Sequence, residues 1–168
     1  LNSQDNRYNK LFKTIDQELQ YLDKNWPINL PTGVIHGDIF QDNVFFIENK
    51  ISGLIDFYFA CNDYYAYELA ICINAWCFDI KGKFDRKKYA SILEGYQSLQ
   101  KLSFVELYNL PILLRGAAMR ILLTRLHDQL YHPKEAYVTP KDPMEYFTIL
   151  KFHQSNPILD KDTFQEKI

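Results

Sequence analysis

Apolar residues recur every three or four positions near the start of the chain, with charged residues between them. This spacing places the apolar side chains on one face of a helix, so it predicts an amphipathic α-helix over residues 5–25, ended by Pro27. The same periodicity and the capping residues predict further helical segments: residues 63–78, a helix after Asp85, a short helix from Ser103 with a restart at Pro111 that continues to about Tyr131, and residues 142–155.

A strand pattern separates the first two predicted helices. Residues 44–47 and 52–55 are apolar, strand-prone runs on either side of a turn at residues 48–51, which predicts a β-hairpin folded about Asn49 and Lys50. Few strands among many helices indicate an α+β, mainly helical fold, and the length of 168 residues suits one domain over residues 1–168.

Polar residues with a recognisable order flank this hairpin. His36, Asp38 and Asn43 match the pattern H-x-D-x-x-x-x-N, and Asp56 follows the second strand. In phosphoryl transfer such an Asp accepts the proton of the attacking hydroxyl, while the Asn and a later Asp bind magnesium. Paired in the hairpin, Asn43 and Asp56 would lie opposite each other, about 4.5 to 5.5 Å apart, close enough to share one Mg²⁺. The pattern therefore predicts Asp38 as the base and Asn43 and Asp56 as metal ligands.

His36 stands apart from this set. A histidine two positions before the base is expected to pack and donate hydrogen bonds that hold the loop, without a role in proton transfer.

Composition narrows the possible partners. A net charge of -2 gives no electrostatic case for nucleic acid, and the longest apolar run, residues 69–78, is far shorter than the roughly 20 residues that span a bilayer. The three cysteines form neither a C-x-x-C pair nor an even set, which favours a reducing, cytoplasmic environment over a disulfide framework.

The segments 34–38, 54–63 and 67–78, with later segments 115–126 and 141–147, closely resemble homoserine kinases of the aminoglycoside phosphotransferase and choline kinase-like superfamily. The resemblance covers nearly the whole chain but only the C-terminal lobe of that family. It implies a protein kinase-like fold with a short catalytic hairpin. It also implies ATP- and Mg²⁺-dependent phosphorylation of the L-homoserine hydroxyl to O-phosphohomoserine, in threonine biosynthesis.

Several features depart from kinase patterns. Tyr58 replaces the glycine of D-F-G, and Glu68 stands where that family is expected to carry Asp. Neither a G-x-G-x-x-G loop nor a V-A-I-K strand is found, and the chain opens at Leu1. We therefore expect a fragment whose nucleotide-clamping N-terminal lobe lies upstream in the parent protein. Alone it should be weakly active or inactive, because phosphoryl transfer depends on positioning the phosphates.

Substrate residues are less clearly marked. The apolar segment 112–130 carries Arg115, Arg120 and Arg125, and a buried guanidinium requires an anion or water. Homoserine has a carboxylate, so Arg115 and Arg120 are candidate substrate residues, although each could instead pair with a protein carboxylate or reach the surface. Their five-residue spacing rotates successive side chains by about 140°, so the three cannot share one pocket. Asp63 could bind the substrate ammonium, or it could cap the helix that it begins.

Two alternatives remain open at this point. Another small-molecule kinase of the superfamily would keep Asp38, Asn43 and Asp56 but require either a carboxylate-rich aminoglycoside site or an aromatic cage for a choline-like alcohol. A non-catalytic kinase-like binding module is the other possibility.

Overall fold

A computed structural model describes residues 3–133 and 139–156, and within them the chain forms five α-helices and four short strands. In chain order these are α1 (Ser3–Asn25), β1 (Thr32–Ile35), β2 (Val44–Ile47), β3 (Lys50–Leu54), β4 (Cys61–Tyr64), α2 (Tyr65–Trp76), α3 (Arg86–Leu99), α4 (Phe104–Tyr131) and α5 (Pro143–Ser155). The α+β, mainly helical prediction is confirmed. None of the described helices has the length and hydropathy of a membrane span.

Helix starts follow the capping residues in the sequence. Asp85 accepts hydrogen bonds from two backbone N–H groups at the start of α3, and Asp142 accepts one at the start of α5. Ser103 and Glu106 form a reciprocal capping box at the start of α4. Each cap satisfies backbone donors that have no partner within the helix, which fixes where these three helices begin.

The long helix α4 joins both parts of the hydrophobic core. One side, including Leu113 and Ala117, packs with the buried residues of α2 such as Ile73. The other side, including Leu122, packs with apolar residues of α1 and α5 such as Leu150. Because α4 is buried on two sides, its position is fixed by every other helix that it contacts.

Pro111 lies inside α4, so the prediction of a helix restart at this residue is wrong. A proline in a helix interior removes one backbone hydrogen bond and crowds the preceding turn. Leu110 and Leu114, on either side of it, are almost completely buried in the core. The packing of this continuous apolar surface outweighs the cost of the proline, which local signals alone do not reveal.

The hairpin forms as predicted but with a different register. Its turn residues are Glu48 and Asn49, both with positive φ, and a bulge lies between Phe45 and Phe46. Asn43 consequently faces Ile55, whose N–H donates to its carbonyl over 3.1 Å, and Asp56 lies one residue further along. The prediction that Asn43 and Asp56 oppose each other is therefore wrong by one position. The two-residue turn shifts the pairing by two positions relative to the predicted four-residue turn, and the bulge restores one of them; local residue preferences indicated neither feature.

Strand β4 was not predicted, and it moves the start of α2 to Tyr65. Asp63 lies within β4 opposite Gly33 of β1, and its carboxylate accepts a hydrogen bond only from the N–H of Tyr64 among the described residues. The predicted helix cap at Asp63 is wrong because cross-strand pairing with β1 extends the backbone there.

A buried polar contact links α2, α4 and α5. Asn74 donates to the carbonyl of Leu114 over 2.8 Å, which leaves its amide oxygen to accept from Nε2 of His153 at 2.7 Å. Burial lowers the pKa of His153 to about 3, so the imidazole is neutral in the folded protein at neutral pH. The pair fixes the relative rotation of three helices, because each buried polar atom needs its particular partner.

We expect acid to weaken the fold through His153. Unfolded histidine binds a proton near pH 6.5, whereas the folded residue does so only near pH 3. As the pH falls from about 6 to 4, this group should lower the free energy of unfolding by about 1.4 kcal/mol per pH unit. In His153→Gln, which keeps an N–H donor for Asn74, that part of the slope should vanish. Urea unfolding across this pH range compares the two proteins, and parallel curves would contradict the assignment.

Candidate active site

The loop between β1 and β2 depends on a glycine. Gly37 has φ +75°, and a Cβ atom at this position would lie 2.7 Å from the carbonyl oxygen of Phe59. Both the backbone conformation and the close approach of residue 59 exclude a larger side chain. This glycine sets the direction in which the next residue, Asp38, leaves the loop.

Two charged side chains from different helices hold the peptide groups around Gly37. Glu68 of α2 accepts the N–H of His36 at 3.2 Å and the N–H of Gly37 at 2.9 Å. Arg120 of α4 donates from Nη2 to the carbonyl of Gly37. Charged groups make stronger hydrogen bonds to the backbone than neutral ones, so they fix this loop firmly to α2 and α4. Sequence reasoning noted Glu68 as a departure but missed this role, which depends on contacts distant in sequence.

His36 connects the loop to the end of the hairpin, as expected. Its Nδ1 accepts the N–H of Asp38 at 3.2 Å, so the proton lies on Nε2, which donates to the carbonyl of Ile55 at 2.8 Å. The ring is buried and lies 4.5 Å from that of Phe57. The histidine therefore ties the segment before Asp38 to the residue before Asp56, which confirms the prediction that it holds the loop.

The predicted base, Asp38, and the two predicted metal ligands, Asn43 and Asp56, line one cavity of about 330 Å³. Asn43 is buried and donates from Nδ2 to the backbone carbonyl of Asp38 at 2.8 Å and to its carboxylate at 3.2 Å. Asp56 follows β3 with φ +62°, an unusual conformation for a residue other than glycine, and is exposed toward the same space. Despite the shifted register, the structure brings Asp38, Asn43 and Asp56 together.

Opposing influences act on the carboxylate of Asp38. Burial raises its pKa, while the positive charge of Arg120 and the hydrogen bond from Asn43 act to lower it, and the negative charge of Asp56 acts to raise it again. The net effect is a pKa above the usual value for aspartate. A carboxylate with a raised pKa is a better proton acceptor than an ordinary surface aspartate, which suits a general base.

The donor atoms in the cavity match what magnesium prefers. Because Nδ2 of Asn43 donates to Asp38, its Oδ1 is left without a hydrogen-bond donor among the described residues. The carboxylate of Asp56 likewise makes no hydrogen bond within that part of the chain. Hard oxygen ligands of this kind, one or two from the protein with the rest from water and phosphate, are typical of Mg²⁺ sites. No cluster of three or more His, Cys, Asp or Glu able to hold a metal occurs in residues 3–133 and 139–156.

One face of α4 forms the opposite wall of this cavity. The residues that it contributes follow the helical period, and Lys141 completes the wall beside Asp42. From α4 the lining residues are Arg120, Ile121, Thr124, Arg125 and Asp128.

The predicted substrate residues separate in the structure. Arg120 lines the cavity with Asp38. Arg115 does not, because both its Nε and Nη2 donate to the buried carboxylate of Glu18 at 2.6 Å, and its guanidinium stacks 3.8 Å from the ring of Tyr21. Asp63 lies in β4 and is not among the lining residues either. Of the three candidates, only Arg120 is placed where a substrate of this cavity could contact it.

Arg125 also lines the cavity but is already paired. Its Nη1 donates to Glu145 at 2.6 Å and to the carbonyl of Asp142 at 3.2 Å, and its guanidinium lies 4.6 Å from the ring of Tyr146. As the five-residue spacing predicts, the three arginines do not share one pocket.

Comparison with known proteins agrees with this geometry. The chain is 55% identical over 144 residues to a protein named homoserine kinase from Parvibaculum lavamentivorans, an alignment that covers 86% of this chain and 45% of that protein. Homoserine kinases of Sinorhizobium fredii and Agrobacterium fabrum are 52% and 54% identical over 145 residues, with 86% of this chain and 44% and 45% of theirs covered.

The chain thus spans less than half the length of these curated relatives. Residues 2–102, more than half of the chain, match the model of the phosphotransferase enzyme family, abbreviated APH. This range includes the Gly37 loop, the hairpin and the contact from Glu68. A kinase-like loop, a hairpin that brings the three polar residues to one cavity, and this match together show that the chain belongs to the phosphotransferase enzyme family.

Proposed function

We propose that this chain is the catalytic lobe of an ATP-dependent homoserine kinase, which phosphorylates the side-chain hydroxyl of L-homoserine to give O-phosphohomoserine. The observation that carries the proposal is the meeting of Asp38, Asn43 and Asp56 in one cavity, in the order that phosphoryl transfer requires. Relatives of this chain that are named homoserine kinase support the choice of acceptor.

Each of these residues has a distinct part in the reaction. Asp38 orients the acceptor hydroxyl and takes its proton, and the hydrogen bond that Asn43 Nδ2 donates to its carboxylate holds that group in place. Asn43 Oδ1 and the carboxylate of Asp56 would hold Mg²⁺. When bound, the magnesium nucleotide supplies the transferred phosphoryl group and neutralises its charge.

Arg120 is the proposed contact for the carboxylate of homoserine. It lines the cavity near Asp38, its Nη2 donates to the carbonyl of Gly37, and its guanidinium also makes a hydrogen bond to the phenol of Tyr67. One guanidinium would thus hold both the catalytic loop and the substrate, which couples their positions. Arginine suits this task because its planar donors bind carboxylates in fixed directions.

An exposed apolar surface on the hairpin supports a further lobe in the parent protein. Phe45, Phe46, Ile47 and Ile51 are each more than half exposed, as is Tyr58 beyond the hairpin. Exposed apolar patches of this kind mark interaction sites. The relatives have more than half of their length outside the match. We therefore place a nucleotide-clamping N-terminal lobe against this hairpin surface.

A cytoplasmic location belongs to the same proposal. Cys61, Cys72 and Cys77 are all free, and the thiols of Cys72 and Cys77 are partly or wholly buried. Burial raises the pKa of both thiols to about 12, which keeps them protonated and unreactive. Structural free thiols are typical of reducing compartments.

The full-length parent protein should phosphorylate homoserine and not choline or kanamycin. The reason is that Arg120 beside the proposed base can pair with the carboxylate of homoserine, a group that choline and kanamycin lack. The test measures magnesium-dependent ATP turnover with each of the three acceptors. Turnover with choline or kanamycin alone would favour the alternative acceptors, and turnover with none would favour a non-catalytic module.

Substitutions of the two aspartates should have different effects in that protein. Asp38→Asn should lower kcat by roughly 10²- to 10⁴-fold with little change in nucleotide affinity, because it removes only the proton acceptor. Asp56→Asn should also weaken binding of the magnesium nucleotide. Asp16→Asn, on the exposed face of α1, serves as a control. Equal losses of nucleotide affinity, measured by titration calorimetry, would contradict the assigned roles.

Glu68→Gln should lower kcat by about tenfold while the thermal midpoint changes little. Each carboxylate oxygen of Glu68 accepts one backbone N–H, from His36 and from Gly37, whereas an amide has only one acceptor oxygen. The variant therefore loses one of these two hydrogen bonds, and the loop that carries Asp38 is held less firmly. Glu94→Gln on the exposed side of α3 makes the same chemical change without touching this loop. Equal activity of the two variants in steady-state assays would exclude a positioning role for Glu68.

A further inference from the structure

The backbone around the proposed base is held on both sides. Before Asp38, two charged side chains bind the peptide groups of Gly37. After it, the N–H of Phe40 donates to the carbonyl of Asp38 over 2.8 Å and closes a three-residue turn. Ile39 is the central residue of this turn, so a side chain that binds the backbone of Ile39 also controls the direction in which the chain leaves the base.

Trp76, the last residue of α2, binds this turn. Its indole Nε1 donates to the carbonyl of Ile39 over 2.8 Å. Gln41 reaches the same end of α2, where its side-chain amide donates to the carbonyl of Ala75. The last carbonyl groups of a helix lack partners within the helix, and an indole N–H can only donate, so both hydrogen bonds satisfy groups that need a partner. The turn after the base is therefore joined to the C-terminal end of α2.

The same indole ring contacts the hairpin. The rings of Trp76 and Phe46 lie 6.2 Å apart in an edge-to-face arrangement, which is a favourable geometry for two aromatic side chains. Phe46 belongs to β2, the strand that begins directly after Asn43. This contact restricts the rotation of the indole ring, so its N–H stays directed at the turn that follows the base.

Trp76 can influence the reaction only through other residues. It is not among the residues that line the cavity, and its side chain has no group that could take a proton from the acceptor. With a peptide group fixed on each side of Asp38, a change of φ or ψ at this residue would displace one of them. A catalytic group must lie within about 0.5 Å of its productive position, and a misplacement of about 1 Å can lower the rate roughly 100-fold.

We propose that Trp76 is a positioning residue for the transfer reaction, because its hydrogen bond to the carbonyl of Ile39 fixes the backbone that carries Asp38. This inference rests on the proposed function. The exact placement of the base matters during transfer, when the acceptor oxygen must be in line with the phosphoryl group, and matters little for binding. Loss of the indole N–H therefore lowers kcat and leaves the KM for homoserine and the affinity for the magnesium nucleotide nearly unchanged.

The experiment replaces Trp76 in the full-length parent protein with benzothienylalanine, in which sulfur takes the place of the indole N–H while the shape of the ring is kept. In steady-state assays kcat should fall roughly 5- to 30-fold, and the KM for homoserine should change less than about threefold. Trp76→Phe, which keeps an aromatic ring beside Phe46 but has no N–H, should show the same separation of kcat from KM. A ring-fluorinated tryptophan at this position keeps the N–H and should retain the kcat of wild type.

Trp26 provides the matched control. Its ring packs against Tyr67 and Gly116, and its indole N–H has no acceptor among the described residues. Benzothienylalanine at this position makes the same chemical change away from the turn, so kcat and KM should both match those of wild type.

The outcomes separate this inference from the proposed function. If wild type does not phosphorylate homoserine, the proposed function fails and the role of Trp76 fails with it. If wild type is active and benzothienylalanine in place of Trp76 leaves kcat unchanged, only the role of Trp76 is overturned. A fall in kcat that also occurs with the control replacement, or that comes with an equal rise in the KM for homoserine, would show a general structural effect and would likewise overturn the inference.

Discussion

The peptide groups of Gly37 are held between a carboxylate and a guanidinium. Glu68 receives its N–H and Arg120 binds its carbonyl, so one residue of the loop is bound to two helices at once. The left-handed conformation of Gly37 makes this double contact possible, and the nearby carbonyl of Phe59 excludes any other residue. The position of Asp38 therefore follows from how α2 and α4 pack, and the hydrophobic core that joins these helices is part of the catalytic geometry.

The fold was largely readable from local sequence signals. Helix starts at Asp85, Ser103 and Asp142 were predicted because each cap satisfies backbone donors in its own turn. Errors occurred where distant contacts decide the structure. Strand β4 exists because β1 pairs with it, and α4 continues through Pro111 because both flanking surfaces are buried. No short window of sequence contains that information.

The candidate site divides in the same way. Asp38, Asn43 and Asp56 were predicted because their order and the intervening hairpin are encoded within some twenty residues, and an error of one position in register did not separate them. Arg115 was predicted to bind the substrate carboxylate. Its actual partner, Glu18, could not be identified from the sequence because it lies 97 positions away. Glu68 was missed as a contact of the loop for a similar reason, since its partners lie 31 and 32 positions before it. Residues that are close in sequence can be recognised as a motif, whereas only the packing of the fold shows which charged side chains are already paired and which are left to bind a ligand.

Within the part of the chain that the structure describes, the hairpin of β2 and β3 forms its own two-stranded sheet, so neither of its outer edges is paired with another strand there. Unpaired edges beside exposed Phe46 and Ile47 offer a template on which a second chain can add hydrogen bonds and hide its apolar side chains. In a preparation of this lobe alone, high protein concentration is therefore expected to favour self-association through the hairpin. Charged substitutions at Ile47 or Ile51 should improve the solubility of such a sample.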